Sequence, residues 1–279
     1  MSRKPLLYET HMHTPLCRHA VGEPEEYAAA ARRRGLAGIT VTCHNPMPDD
    51  YGRSVRMSPE EFPDYLALVE RARSALEGEV EVLLGIECDY FPGYEKFLEE
   101  QIASAPFEYV LGSVHPHLRE YQEAYFTGDV PAFQKTYFDH LAEAAETGLF
   151  DCLSHPDIVK NSFPEAWDVR LLLDPIRRAL DRIARAGTAM ELNTSGIDKT
   201  IPEFNPGSAI LEEMRQRGIP VVVGADAHVP RRVGADFEDA LDALSAAGYR
   251  EVSLFLDRDR REIPIDAART SLRKLGTVT

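Results

Sequence analysis

Short apolar runs rich in β-branched residues alternate along this chain with longer segments of helical spacing, and that rhythm leaves few folds open. Strands are expected at 6–9, 38–42, 80–86, 109–114, 150–154, 189–193, 220–224 and 252–256. Helices are expected at 24–34, from Ser58 to near Gly78, and at 132–146, 171–186, 209–217 and 237–247. Ser58-Pro59-Glu60-Glu61 reads as a helix start, with a capping serine, a proline in the first turn and early acids. Glycines such as Gly35, Gly187 and Gly218 stop the helices. Strands joined through helices need right-handed crossovers and a parallel sheet. Seven or eight such units favour a sheet closed into a barrel, and no GxGxxG follows the first strand to favour a dinucleotide-binding sheet. Barrels of this kind run to about 250 residues as one unit. With no linker or shift of composition, residues 1–279 are read as a single α/β domain.

Composition narrows the function. With 44% hydrophobic and 28% charged residues, the chain has a sizeable core and a solvated surface. A net charge of −15, from 46 acidic against 31 basic side chains, repels a phosphate backbone, so nucleic acid is not expected as the main partner. The four cysteines, Cys17, Cys43, Cys88 and Cys152, form no CxxC pair and no disulfide framework. The first residues carry Arg3 and Lys4 but no apolar stretch of signal-peptide length, and no window reaches the roughly 18 apolar residues of a membrane span. A reducing cytoplasm is the expected location.

The chemistry lies at the C-terminal ends of the strands. His11 and His13 come after the first, His44 after the second, Glu87 after the third, His115 after the fourth and His155 after the fifth. Glu191 and Asn193 close the sixth, and Asp226 and His228 come after the seventh. Loops at strand C-termini of a β/α barrel open on one face, so these residues converge although scattered in sequence. Imidazole and carboxylate at that density suit Zn²⁺, Mn²⁺ or Fe²⁺. His11 and His13, two apart on an extended segment, face the same side, and Asp226-Ala227-His228 repeats the spacing. An HxH alone is equally compatible with two unrelated histidines; the series is what carries the reading. His19 lies on the first loop, His117 is read as a loop residue near the substrate, and His140 as an ordinary helix-surface residue. If His44 and Glu87 face the site, Cys43 and Cys88 face the outer helices, because neighbours on a strand point to opposite sides.

The set His11-Met12-His13-Thr14, Leu16-Cys17-Arg18-His19-Ala20, His44-Asn45-Pro46-Met47, Gly85-Ile86-Glu87, Gly112-Ser113-Val114-His115, Ser154-His155-Pro156-Asp157, Asn193-Thr194-Ser195-Gly196 and Gly224-Ala225-Asp226-Ala227-His228 closely resembles the polymerase-and-histidinol-phosphatase (PHP) family. The resemblance runs from the first strand to the seventh. It implies a distorted seven-stranded, TIM-like (β/α)7 barrel holding three divalent ions. His11, His13, Glu87 and Asp226 would hold the first, Glu87 bridging to a second completed by His115 and His155. His19, His44 and His228 would hold the third. The family usually has Asp before the first HxH pair and before the His of the second motif, where this chain has Glu9-Thr10 and Cys43; these departures bear on how ligands are oriented and which metal is preferred.

The resemblance further implies hydrolysis of L-histidinol phosphate to L-histidinol and phosphate, a step of histidine biosynthesis. Two ions sharing a water lower its pKa towards about 7, so a phosphate monoester is attacked without a protein nucleophile. Glu87, Asp226 and His228 are the candidate catalytic residues. Lys160, Lys199, Arg119, His117, Ser195 and Asn193 are the candidates for holding substrate, with Asp89, Asp157, Glu191, Tyr90, Phe91 and Phe163 nearest in sequence for its ammonium and imidazole. Two other readings are a PHP phosphodiesterase or 3′–5′ exonuclease, which would need a basic strip with stacking aromatics, and a metal-holding scaffold without catalysis.

Overall fold

The structure is a computed structural model that describes residues 5–273; the basic N-terminal residues at 3 and 4 lie outside the described residues. Seven parallel strands run in chain order: β1 (Tyr8–Met12), β2 (Gly38–Val41), β3 (Glu81–Asp89), β4 (Tyr109–Ser113), β5 (Cys152–Leu153), β6 (Ala189–Asn193) and β7 (Val221–Gly224). Helices α1 (Pro24–Arg34), α2 (Phe62–Ala75), α3 (Glu95–Ala103), α4 (Arg119–Tyr125), α5 (Val130–Glu146), α6 (Val169–Ala186) and α7 (Ser208–Gln216) lie between them, and α8 (Phe237–Ala246) follows β7. Their apolar stripes set the packing. In α6, Leu172, Ile176, Ala179, Leu180 and Ile183 recur at helical spacing and are all buried.

The barrel closes just beyond the end of β7. Ala227 donates its N–H to the His11 carbonyl at 2.8 Å and accepts the His13 N–H at 2.9 Å, a parallel bridge opposite Met12. The body of β7 meanwhile pairs with β8 (Glu251–Leu256) through Val222 and Ser253, and β9 (Asp259–Pro264) returns antiparallel to β8, with α9 (Ile265–Ser271) after it. One strand therefore serves two neighbours at different heights, and this is the distortion of the seven-stranded, TIM-like barrel.

Three differences from the sequence reading have physical causes. β1 and β3 run past their expected ends, so His11 and Glu87 lie within strands rather than after them. Polar residues that resemble loop in sequence face the barrel mouth here. The segment between β3 and β4 holds α3, and the segment after β8 holds β9; neither was expected. β9 is built from Asp259-Arg260-Arg261-Glu262, an exposed edge whose charges discourage pairing with another chain. It turns on Asp257 and Arg258, both at positive φ without the glycine that usually marks such a turn. His140 is not on the surface: it is 6% exposed and its Nδ1 pairs with the Tyr121 hydroxyl at 2.7 Å.

The layer between sheet and helices is closely packed at Gly112 of β4, where a Cβ would stand 2.5 Å from the Phe150 ring. Gly112→Ala is expected to lower stability to urea by about 1–3 kcal/mol, the usual cost of overpacking. Equilibrium urea unfolding checks this, and an unchanged midpoint would show that the ring has room to move.

Candidate metal centre

Strand pleating and barrel closure place the donors. His11 and His13 flank Met12, so both rings point into the mouth; Asp226 and His228 flank Ala227, the residue that closes the barrel. Glu87 sits at the centre. Its Oε2 lies 2.7 Å from His44 Nδ1 and 3.6 Å from His13 Nε2. Its Oε1 lies 3.2 Å from His155 Nε2 and 3.6 Å from both His11 Nε2 and His115 Nε2. Asp226 Oδ1 stands 3.1 Å from His13 Nε2 and 3.6 Å from His11 Nε2. His19, on the first loop, completes the outer side with its ring 4.5 Å from that of His228.

Two of these residues are held in uncommon backbone geometry. His155 has φ 26° and Asp226 φ 48°. Each such residue costs on the order of 1–3 kcal/mol, and it persists only where its surroundings over-determine it. Gly224 belongs to the same construction: a Cβ there would collide with Glu191 Oε1 and approach His11 Cβ to 2.9 Å.

Outer partners orient the rings. Glu191 Oε1 accepts from His11 Nδ1 at 2.8 Å, and its Oε2 accepts the His155 N–H at 2.9 Å and an Asn193 side-chain N–H at 2.8 Å. Asp89 Oδ1 pairs with His115 Nδ1 at 2.5 Å, while its Oδ2 takes the Arg56 guanidinium. Glu9 is fully buried and accepts three backbone N–H groups, from His11, Ala225 and Gly234, so it ties β1 to the loop after β7.

The donor set fits divalent cations. His11 Nε2, His13 Nε2, His44 Nδ1, Glu87 Oε2 and His228 Nε2 are buried without a hydrogen-bond partner, a costly state for polar atoms unless something else satisfies them. His11, His13 and Asp226 bring ligand atoms within 4.8 Å of one another, as do His44, Glu87 and His115, and His13, His44 and His228. Charge states suit the task. Burial would raise the Glu87 carboxyl, but His44 and His11 beside it hold it well below the usual range, and Asp226 is kept low against burial by His11, His13 and His228. Burial pushes His44 down to about 4, against the pull of Glu87, and burial together with His13 pushes His228 to about 2, so both offer neutral lone pairs.

A cavity of about 420 Å³ opens over the cluster, of small-molecule size. His19, His44, His115, His155, Asp226 and His228 form its floor, and His117, Ser195 and Lys199 are on its wall. Three expected substrate contacts lie elsewhere. Lys160 is 0% exposed, its ammonium donating to Asp157, Glu203 and the Phe204 carbonyl at 2.9–3.1 Å, because a buried cation needs acceptors on every side. Arg119 starts the surface helix α4 and pairs there with Glu120 and Glu123. Asn193 is fully buried and braces Glu191 and Ser195 rather than facing the cavity. Of the acids considered for the substrate ammonium, Asp89 and Glu191 are engaged with histidines and Asp157 with Lys160.

Arg56, Arg231 and Arg232 also line the cavity, and sequence reasoning missed them. Arg56 comes from a long irregular segment after β2 with no periodicity to place it. Arg231 and Arg232 stand close behind His228 in the chain, and that proximity was the available signal. Cys43 also has a neighbour the sequence reading did not give: its sulfur lies with that of Cys17 beside His13.

The PHP domain family model matches residues 9–195. A probable histidinol-phosphatase of Deinococcus radiodurans is 37% identical over 259 residues, covering 88% of this chain and 96% of that protein. The histidinol-phosphatase of Bacillus subtilis is 25% identical, covering 83% and 97%. Among solved structures, the histidinol phosphate phosphatase of Lactococcus lactis, complexed with zinc, L-histidinol and phosphate, superposes with a TM-score of 0.77 at 18% identity, covering 91% of this chain and 98% of that one, a likeness of fold. From the motif series, the barrel and the match across most of its length, the chain belongs to the PHP domain family.

Proposed function

We propose that this protein is a histidinol-phosphatase, hydrolysing L-histidinol phosphate to L-histidinol and phosphate as a single-domain enzyme of histidine biosynthesis in the cytoplasm. The observation that carries the reading is the floor of the cavity, where buried, unpartnered imidazole and carboxylate atoms converge beneath a cationic rim. The named activity of the Deinococcus and Bacillus relatives supports it, as does the zinc, histidinol and phosphate bound by the Lactococcus protein. Among the described residues no helix is long and apolar enough to cross a membrane.

Three divalent ions, zinc, manganese or iron, suit the donors. His11, His13, Glu87 and Asp226 would hold one, and Glu87, His115 and His155 a second. His19, His44 and His228 would hold the third, with His44 close enough to Glu87 to share in the second. When bound, such ions activate water for attack and neutralise the phosphoryl oxygens. Of the chain's own groups, Glu87 and Asp226 supply ionised carboxylates that stay deprotonated in burial, and Glu191 and Asp89 hold the rings of His11 and His115 in place. Ser195, on the cavity wall, has its hydroxyl within reach of two acceptors, Asn193 Oδ1 and, at 3.1 Å, Asp226 Oδ2. Lys199 is half-buried at the rim and, among the described residues, forms no ion pair, as does Arg231. A phosphate monoester entering the cavity meets these unpaired cations, and on a chain of net charge −15 they form a local attraction for an anion. His117, its ring 5.4 Å from that of His115, stands on the cavity wall.

Two outcomes are expected. Glu87→Gln should lower turnover of histidinol phosphate by more than about 100-fold, beyond what loss of an outer partner of a ligand gives, with metal content reduced and the circular dichroism spectrum unchanged. Near wild-type turnover in a metal-depleted variant would overturn the reading. Lys199→Ala should raise KM for phosphate monoesters by about 10-fold, about 1.4 kcal/mol, with a smaller fall in kcat, as for a group that holds substrate and transition state alike. Steady-state kinetics on histidinol phosphate checks it, and unchanged KM would remove Lys199 from the substrate site.

A further inference from the structure

Four of the ligand histidines are oriented by oxygen acceptors behind the ring. His11 Nδ1 meets Glu191 Oε1 at 2.8 Å, and His115 Nδ1 meets Asp89 Oδ1 at 2.5 Å. His19 Nδ1 lies 2.7 Å from the Cys17 carbonyl, and His228 Nδ1 lies 3.0 Å from the Asp226 carbonyl. In each case the partner fixes which nitrogen carries the proton and so which one presents a lone pair.

His13 is 0% exposed, yet neither of its ring nitrogens has a hydrogen bond of good geometry. Nε2 faces Asp226 Oδ1 at 3.1 Å and Glu87 Oε2 at 3.6 Å, which leaves Nδ1 for the back of the ring. What lies beside this histidine is sulfur. The Cys43 and Cys17 thiols sit within 4.8 Å of a His13 ring nitrogen and of each other, and all three residues are fully buried. Cys43 Sγ is itself fixed in place, accepting the Thr14 hydroxyl at 3.2 Å. Thr14 comes directly after His13 and Cys43 directly before His44, so this one contact joins the two loops that carry those ligands.

We propose that Cys43 is the positioning residue for His13: its sulfur accepts the Nδ1–H and holds the tautomer in which Nε2 is turned to the metal centre. Sulfur is a weak acceptor, so it fixes the tautomer while withdrawing the Nδ1 proton less than Glu191 does behind His11. His13 is then the less basic member of the HxH pair, and a carboxylate in place of the thiol would strengthen it as a ligand. No bond is made or broken, and the role needs no change in the ionisation of the thiol.

The proposal rests on His13 being a metal ligand, and its test is chosen to fail separately from that reading. Zinc affinity is measured by competition with a chelator on wild-type protein and on Cys43→Ala, Cys43→Ser and Cys43→Asp, together with thermal unfolding of each metal-free form. Cys43→Ala should bind its weakest zinc about 10–100-fold less tightly, the range known for lost outer partners of ligands. Cys43→Ser should fall between, and Cys43→Asp should recover wild-type affinity or exceed it, with the metal-free unfolding temperatures alike. Wild-type affinity in Cys43→Ala overturns the proposal, as does a Cys43→Asp variant no better than Cys43→Ala or Cys43→Ser. Should Cys43→Ala fail to fold, the order of Cys43→Ser and Cys43→Asp decides in the same way. Absence of zinc binding in the wild type would instead sink the assignment of His13 as a ligand.

Discussion

Closure of the barrel and construction of the site are the same event. Ala227 is clasped between the His11 carbonyl and the His13 N–H, and those two bonds bring β1 against the segment beyond β7. Because side chains alternate along extended backbone, His11 and His13 on either side of Met12 turn inward together, and Asp226 and His228, on either side of Ala227, meet them there. Glu9 strengthens the seam from below through the N–H groups of Ala225 and Gly234. Asp226, in left-handed backbone directly before the clasped Ala227, sets its carboxylate 3.1 Å from His13 Nε2.

The interior so formed concentrates opposite charges where water is excluded. Glu87 and Asp226 stay ionised only because imidazoles surround them, and those imidazoles are in turn held by Glu191 and Asp89. Protons and divalent ions compete for the same lone pairs, so filling the site with cations exchanges one form of compensation for another and adds binding energy to the folded state. The outer residues matter as much as the ligands. Arg56, Asn45 and Asp89 form a chain of contacts from the loop after β2 to His115, and Gly224 clears the space in which Glu191 reaches His11. The chain as a whole is acidic, while at the mouth Lys199 and Arg231, among the described residues, form no ion pair and offer local positive charge to an anionic substrate.

Much of this was legible in the residues alone. The helices at Pro24–Arg34 and Val169–Ala186 and the strand Ala189–Asn193 emerge from period, caps and glycine stops. Most of the residues expected to bind metal stand near the end of a β-type run, and parallel connection sends such ends to one face; His19, on the first loop, and the sharing of ligands among ions came from the resemblance to the family's motifs. The errors fell where local sequence carries no directional information. Lys160, Arg119 and Asn193 are near the right strands, but which way a loop side chain turns depends on the acceptors around it, and for Lys160 those are Glu203 and Phe204, some forty positions away. His140 looked solvent-facing until Tyr121 of another helix covered it.

The amino-acid sequence by itself determined the alternation of strands and helices, the closed parallel architecture and the identity of the donor-bearing positions, since these depend on periodicity and on chain connection. Only the tertiary structure decided that Ala227 closes the ring, that β9 adds a charged edge, that Arg56 and Arg231 reach the cavity, and that Cys43 turns its sulfur to His13. Those outcomes depend on contacts between residues far apart in the chain, whose geometry is set by packing and hydrogen bonding and leaves no local pattern to read.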